Sequence, residues 1–210
     1  MGGPDRALTH LFDRRAVARR PMCGSIPLTA REPARAHGAP ICPTVTLVPM
    51  DIRACTDEDW PSIFAFYRVT MSAGQTYAFP DNQTLEEARP WWMEPPPGQT
   101  VVATEGVDII GSAKMGPNRP GRGQHIATAS FLVSPRYRGR GVGRALGEYV
   151  IDWARREGYR GIQFNAVVEA NHAAVHLWQS LGFEIIGTVP EAFDHPEEGL
   201  VGLHVMYQKL

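Results

Sequence analysis

The chain has 210 residues, of which 43% are apolar and 20% charged, and a formal net charge of −1, enough for one domain with a sizeable core. A near-neutral chain has no general electrostatic pull toward nucleic acid, and no apolar run approaches the roughly 20 residues that cross a bilayer, so neither nucleic acid nor membrane is expected as a partner. Cys23, Cys42 and Cys55 show no CxxC or Cys/His ligand spacing, which excludes a disulfide framework and a metal site and points to free thiols in the cytoplasm.

Residues 1–49 hold seven prolines, seven arginines and three acids. A short helix over residues 6–19 is the only periodic element there, and the stretch reads as a disordered Pro/Arg-rich extension. Asp13, Arg14 and Arg15 interrupt any apolar signal segment. From Met50 to residue 210 the chain reads as a single domain. Residues 51–54 form a strand. Thr56, with Asp59 three residues on, caps a helix that carries Trp60, Ile63, Phe64 and Tyr67. A loop follows at 74–80 (GQTYAFP), and Thr84 caps a second helix running to about Met93, with Glu86 and Glu87 in its first turn. Pro95–Gly98 stops it. Residues 100–104 and 109–115 read as a hairpin, and 126–133 as the next strand.

A long helix is expected over 141–157, because Val142, Ala145, Leu146, Tyr149, Val150, Trp153 and Ala154 repeat at helical spacing. A strand at 161–168, a helix at 171–181 and strands at 183–189 and 203–209 complete the chain. Strands alternating with helices after a hairpin indicate an α/β fold with a mixed sheet of six to seven strands flanked by helices.

The most informative stretch is residues 131–144, FLVSPRYRGRGVGR. A strand runs into a loop with three glycines, and the loop opens the long helix. The start of a helix carries unpaired N–H groups and the positive end of its dipole, so it attracts an anion. Gly139, Gly141 and Gly143 allow a pyrophosphate to approach the backbone, and Arg136, Arg138, Arg140 and Arg144 add charge. No Gly-Lys pair exists for a Walker loop, and neither Gly-x-Gly continues as a dinucleotide fingerprint.

What fits is R-x-x-G-x-G at Arg138, Gly141 and Gly143. Downstream, Asn171, Ala174, Leu177, Trp178, Gly182 and Phe183 fit N-x-x-A-x-x-L-(Y/W)-x-x-x-G-F. The two motifs together resemble those of the GNAT N-acetyltransferases, over about residues 50–210. The resemblance implies a GNAT-like fold with splayed central strands, acetyl-CoA as co-substrate and no metal. It also implies transfer of an acetyl group to an amine by direct attack in a ternary complex.

Carried over residue by residue, the loop from Arg138 to Arg144, with Gly139, Arg140, Val142 and Gly143 between them, would hold the pyrophosphate. Leu132 and Val133 would pair with pantetheine through their backbones, and Asn171 would cap its helix and reach the ligand. Trp178 stands where many relatives carry a tyrosine, and His125, Thr128, Glu169, His204 and Tyr207 are the groups available for proton handling. The run from Phe164 to Asn171 is similar to that of acetyltransferases acting on proline analogues, in which an asparagine at the place of Asn165 holds the substrate carboxylate. Thr128 stands where those enzymes carry a second asparagine. Thr128 and Asn165 are thus the catalytic candidates, and Tyr77, Phe79 and Asn165 the substrate-binding ones, for a small amino-acid-like amine. The alternatives are a protein or peptide amine, or an acyl-CoA sensor without turnover. Homodimers are common in the family resembled.

Overall fold

The structure, a computed structural model, describes residues 49–210; the helix expected at 6–19, Cys23, Cys42 and nearly all of the Pro/Arg-rich extension lie outside the described residues. Strand β1 (Met50–Ala54) leads through a short 3-10 turn into α1 (Trp60–Ser72). The Asp59 carboxylate accepts from the Thr56 N–H at 2.8 Å and from the Arg53 guanidinium at 2.7 and 2.8 Å. The guanidinium holds the Asp59 carboxyl down at about 2. Helix α2 (Leu85–Trp92) starts as expected, with the Thr84 hydroxyl accepting from Glu87 N–H and the Glu87 carboxylate accepting from Thr84 N–H.

Strands β2 (Gln99–Glu105) and β3 (Asp108–Pro117) form the hairpin, followed by β4 (Ile126–Val133), α3 (Val142–Arg156), β5 (Gly161–Val168), α4 (His172–Ser180), β6 (Glu184–His195) and β7 (Gly199–Lys209). The seven strands make one mixed sheet in the order β1-β2-β3-β4-β5-β7-β6. Two apolar layers cover it. On one face Trp60, Ile63, Tyr67 and Trp92 from α1 and α2 pack on Val102 and Leu132. On the other, Val142, Leu146, Val150 and Trp153 of α3 pack on Ala113, Ile162 and Phe164, with Trp178 of α4 beside them.

The sheet parts at its centre. Strands β4 and β5 run parallel and pair only at Ile126 with Gly161 and Ala127 with Ile162. Beyond Ala127 they part, as the resemblance implied, while β4 stays paired to β3 through Val133. Strands β6 and β7 extend further than the sequence suggests, to His195 and back to Gly199. Pro190 and the left-handed Glu191 (φ 52°) break the ladder, with a register shift between Val189 and Phe193. That break hides the strand's continuation, which the buried Phe193 and His195 anchor.

Candidate functional site

A cavity of about 340 Å³ lies in the gap between β4 and β5. Its floor is apolar and belongs to the α3/α4 side. The Phe131 ring lies 4.5 Å from that of Trp178 and 5.7 Å from that of Phe164. Val133, Gly143, Ala174 and Leu177 complete that wall. Trp178 is 7% exposed and packed among aromatic rings. Its indole N–H is a donor that does not ionise near neutral pH, so it builds wall and moves no proton.

The opposite wall is more polar. Side chains alternate along a strand, and since Leu132 packs under α1 and α2, Thr128 and Ser130 face the same side. Asn165 lines the cavity across the gap from them. Its amide is held at both ends: Nδ2 donates to Asn118 Oδ1 at 2.7 Å, and Oδ1 accepts from Gln163 Nε2 at 2.8 Å. Thr128 makes no side-chain hydrogen bond among the described residues. Tyr77 and Phe79, stacked at 5.1 Å, close this side from the 74–80 loop. The loop is tied to the β6–β7 hairpin by Gln75 Nε2 donating to Glu197 Oε1 at 3.1 Å.

Strand β4 offers backbone groups to the gap, but not at every residue. Ser134 N–H donates to Ile110 C=O and Asn118 N–H to Ile126 C=O, so even-numbered residues of β4 turn their backbones to β3. Odd-numbered residues face β5, as in the bond from Arg160 N–H to His125 C=O at 2.9 Å. Ala129, Phe131 and Val133 therefore face the gap. This corrects the expectation for Leu132, whose backbone belongs to β3 and whose side chain is 2% exposed in the α1/α2 layer. Val133, unlike Leu132, turns its backbone to the gap, and so does Phe131. The Phe131 groups are engaged: the Tyr77 hydroxyl accepts from Phe131 N–H at 2.8 Å and donates to Phe131 C=O at 2.7 Å.

At the mouth of the gap, Gly139 (φ 75°) and Gly141 (φ 83°) turn the loop into α3 through left-handed backbone that glycine adopts at little cost. Gly141 is the N-cap, and the first helical bond runs from Ala145 N–H to Gly141 C=O at 3.0 Å. The N–H groups of Val142, Gly143 and Arg144 are thus open, next to the positive helix end. A Cβ on Gly143 would stand 3.3 Å from Leu177 Cδ2 and 3.8 Å from Val133 Cγ2, so glycine keeps the gap open there. The arginines differ in freedom. Arg140 pairs with Glu105 at 2.7 Å and lies over the Tyr137 ring. Arg144 donates to Ser180 Oγ at 2.7 Å and lies near Glu148. Arg138 has no ion pair among the described residues. Asn171 lines the cavity, and its Oδ1 caps α4 by accepting from Ala174 N–H at 3.2 Å.

None of the remaining titratable candidates lines the cavity. Glu169 accepts from Gly202 N–H at 3.0 Å, and the buried His204 shares a 2.8 Å hydrogen bond with Thr188. His125 is exposed, and the Tyr207 ring covers Gly161. Burial pushes the Cys55 thiol up to about 12, away from the thiolate form that acts as a nucleophile. Asn118 and Gln163, which hold the Asn165 amide, are residues that sequence reasoning missed. Gln163 shares a strand face with Asn165 two residues on, whereas no spacing signals Asn118, which the loop before β4 brings across 47 positions.

An anion cradle at a helix start, continuous with a slot along a strand edge that lacks its neighbour, fits a pyrophosphate on an extended polar arm, which is the outline of acetyl-CoA. The comparisons agree. The family model described as Acetyltransferase (GNAT) family matches residues 60–183. A GNAT N-acetyltransferase structure from Kribbella flavida is 57% identical, with a TM-score of 0.75 over 77% of this chain and 98% of that one. The L-amino acid N-acyltransferase MnaT of Escherichia coli is 31% identical over 68% of this chain and 84% of its own length. The structure of yncA from Salmonella typhimurium, solved with its cofactor acetyl-CoA, is 25% identical with a TM-score of 0.66, covering 77% of this chain and 94% of that one. The chain belongs to the GNAT family and is an acetyl-CoA-dependent N-acetyltransferase.

Proposed function

We propose that the acceptor is a small amine bearing a carboxylate, of amino-acid type, acetylated in the cytoplasm without a covalent enzyme intermediate. The observation that carries this reading is Asn165, an amide fixed by two neighbours on the cavity wall opposite Thr128 and beneath Tyr77 and Phe79. An amide held in this way is a preset donor for a carboxylate oxygen, and the Thr128 hydroxyl across the gap is free to bind the same group or a water. The likeness to MnaT, an L-amino acid N-acyltransferase, supports this acceptor class.

Acetyl-CoA, when bound, supplies the activated acetyl group. The open N–H groups of Val142, Gly143 and Arg144, with Gly139 and Gly141 shaping the turn, hold its pyrophosphate. Arg138 adds charge, and Arg140 and Arg144 do so by exchanging their present partners. The cleft edge of β4, at Ala129 and Val133, orders the pantetheine arm. Asn171 fixes the start of α4 and thereby the Leu177 and Trp178 wall. Thr128 and Asn165 orient the acceptor, so that its neutral nitrogen faces the acyl carbon.

Replacing Asn165 with alanine is expected to lower kcat/KM for the best amino-acid acceptor by 10- to 100-fold, about 1.4–2.7 kcal/mol, mainly through KM. Coenzyme A affinity, measured by calorimetry, is expected to stay within about threefold. An unchanged KM would remove Asn165 from the acceptor site, and weakened coenzyme A binding would assign it to the cofactor side.

A further inference from the structure

The Tyr77 hydroxyl is the group of the cavity to which the acetyl-transfer reading gives no chemical role. Phe131 is the middle of the three β4 residues whose backbones face the gap, at the level where β5 has left. Its N–H and C=O would lack a strand partner. One phenol oxygen satisfies both, at 2.8 and 2.7 Å. The oxygen is rigidly placed. The Tyr77 ring is stacked on Phe79 and set edge-on to Trp92 at 6.1 Å, and Trp92 is fixed by its indole N–H to Ser112 Oγ at 2.9 Å. The hydroxyl proton, by contrast, moves by rotation about a single bond, with no displacement of heavy atoms.

We propose that Tyr77 is a catalytic residue whose hydroxyl, anchored on Phe131 N–H, turns from Phe131 C=O to the acyl oxygen of the bound thioester and stabilises the negative charge that gathers there. The inference rests on the acetyl-transfer reading above. In the turned state the phenol oxygen still accepts from Phe131 N–H, so the two donors act in series and polarise each other. The freed Phe131 C=O becomes an acceptor for an N–H of the attacking amine. In the transfer, the amine nitrogen bonds to the acyl carbon and the C–S bond breaks. The sulfur takes the bonding pair as thiolate, and the amine proton leaves to solvent. Tyr77 gains and loses no proton. Burial pushes its phenol well above the ordinary tyrosine range, which keeps it a donor throughout the working pH range and makes it a poor proton source for the thiolate.

The test is isotope-edited infrared spectroscopy of acetyl-CoA carrying a ¹³C carbonyl, bound to the wild-type protein and to Tyr77→Phe, with calorimetry on both. In the wild-type protein the carbonyl stretch is expected to move to lower frequency on binding, and most of that shift to disappear in Y77F. The variant's kcat is expected to fall about 100-fold, while its affinity for S-ethyl-coenzyme A, which lacks the acyl oxygen, stays within about threefold. The same carbonyl frequency in both proteins, or a kcat within about twofold of wild type, would overturn the proposal. Should Y77F fail to fold, 3,5-difluorotyrosine at position 77 keeps the ring packing and strengthens the donor. The stretch then moves further down, and an unmoved stretch overturns the role. Wild-type protein that binds acetyl-CoA without a carbonyl shift would overturn the Tyr77 role alone, whereas no binding of acetyl-CoA at all would overturn the cofactor reading with it.

Discussion

Replacing Gly141 with valine is expected to weaken coenzyme A binding by about 100-fold or more, ~2.7 kcal/mol, while the protein still folds. Gly141 adopts φ 83° as the N-cap of α3, a left-handed conformation that costs a β-branched residue on the order of 1–3 kcal/mol. Nothing lies within 4 Å of the position a Cβ would take. The penalty is therefore backbone strain, not a clash, and the chain relieves it by re-routing the turn. Re-routing turns away the N–H groups of Val142 and Gly143, whose common aim makes the anion cradle. Helix α3 itself is secured by Val142, Leu146, Val150 and Trp153 in the core, so the thermal midpoint should drop by only a few degrees. Calorimetric titration with coenzyme A, beside near-ultraviolet circular dichroism, reads both quantities, and an affinity equal to wild type would remove the loop from the cofactor site.

Trp92→Ala is expected to be the most damaging single change to stability, costing about 3–5 kcal/mol. Trp92 is fully buried, lies edge-on to Tyr67 and Tyr77, and donates from its indole to Ser112 Oγ, whose hydroxyl in turn donates to Val101 C=O at 2.8 Å. Its removal leaves a cavity under the 74–80 loop and unclamps the Tyr77 ring. Urea unfolding measures the loss. A change below about 1 kcal/mol would mean that α2 does not hold the acceptor side of the sheet in the way its packing indicates.

How far the sequence reveals such a site depends on which physical signal each part leaves. The bounds of β4 and β5 are legible to the residue, because each is a dense apolar run closed by glycine, proline or polar residues. The Thr84 box and the Asn171 cap are legible because capping is a local rule with fixed offsets. The choice between Leu132 and Phe131 as the cleft-facing backbone is not. Alternation fixes which side chains share a face but leaves open which neighbouring strand each carbonyl addresses, and only the β3 register settles that. Strand β6 beyond Val189 is hidden by Pro190 and the left-handed Glu191. The meeting of Asn118 with Asn165 and of Tyr77 with Phe131 depends on how distant segments cross the sheet, and neither leaves any periodicity in the chain. Tyr77 is legible as an aromatic of the 74–80 loop, but its hydrogen bonds to the strand are not.

The measurement closest to the centre of the account is release of free thiol from acetyl-CoA, at fixed pH, against a panel of amino acids, proline analogues, polyamines and short peptides. The account predicts turnover with one or a few small, carboxylate-bearing amines and little with polyamines or peptides. Turnover confined to peptides or polyamines would contradict the acceptor assignment built on Asn165, and no release with any acceptor, despite coenzyme A binding, would contradict catalysis at this cleft.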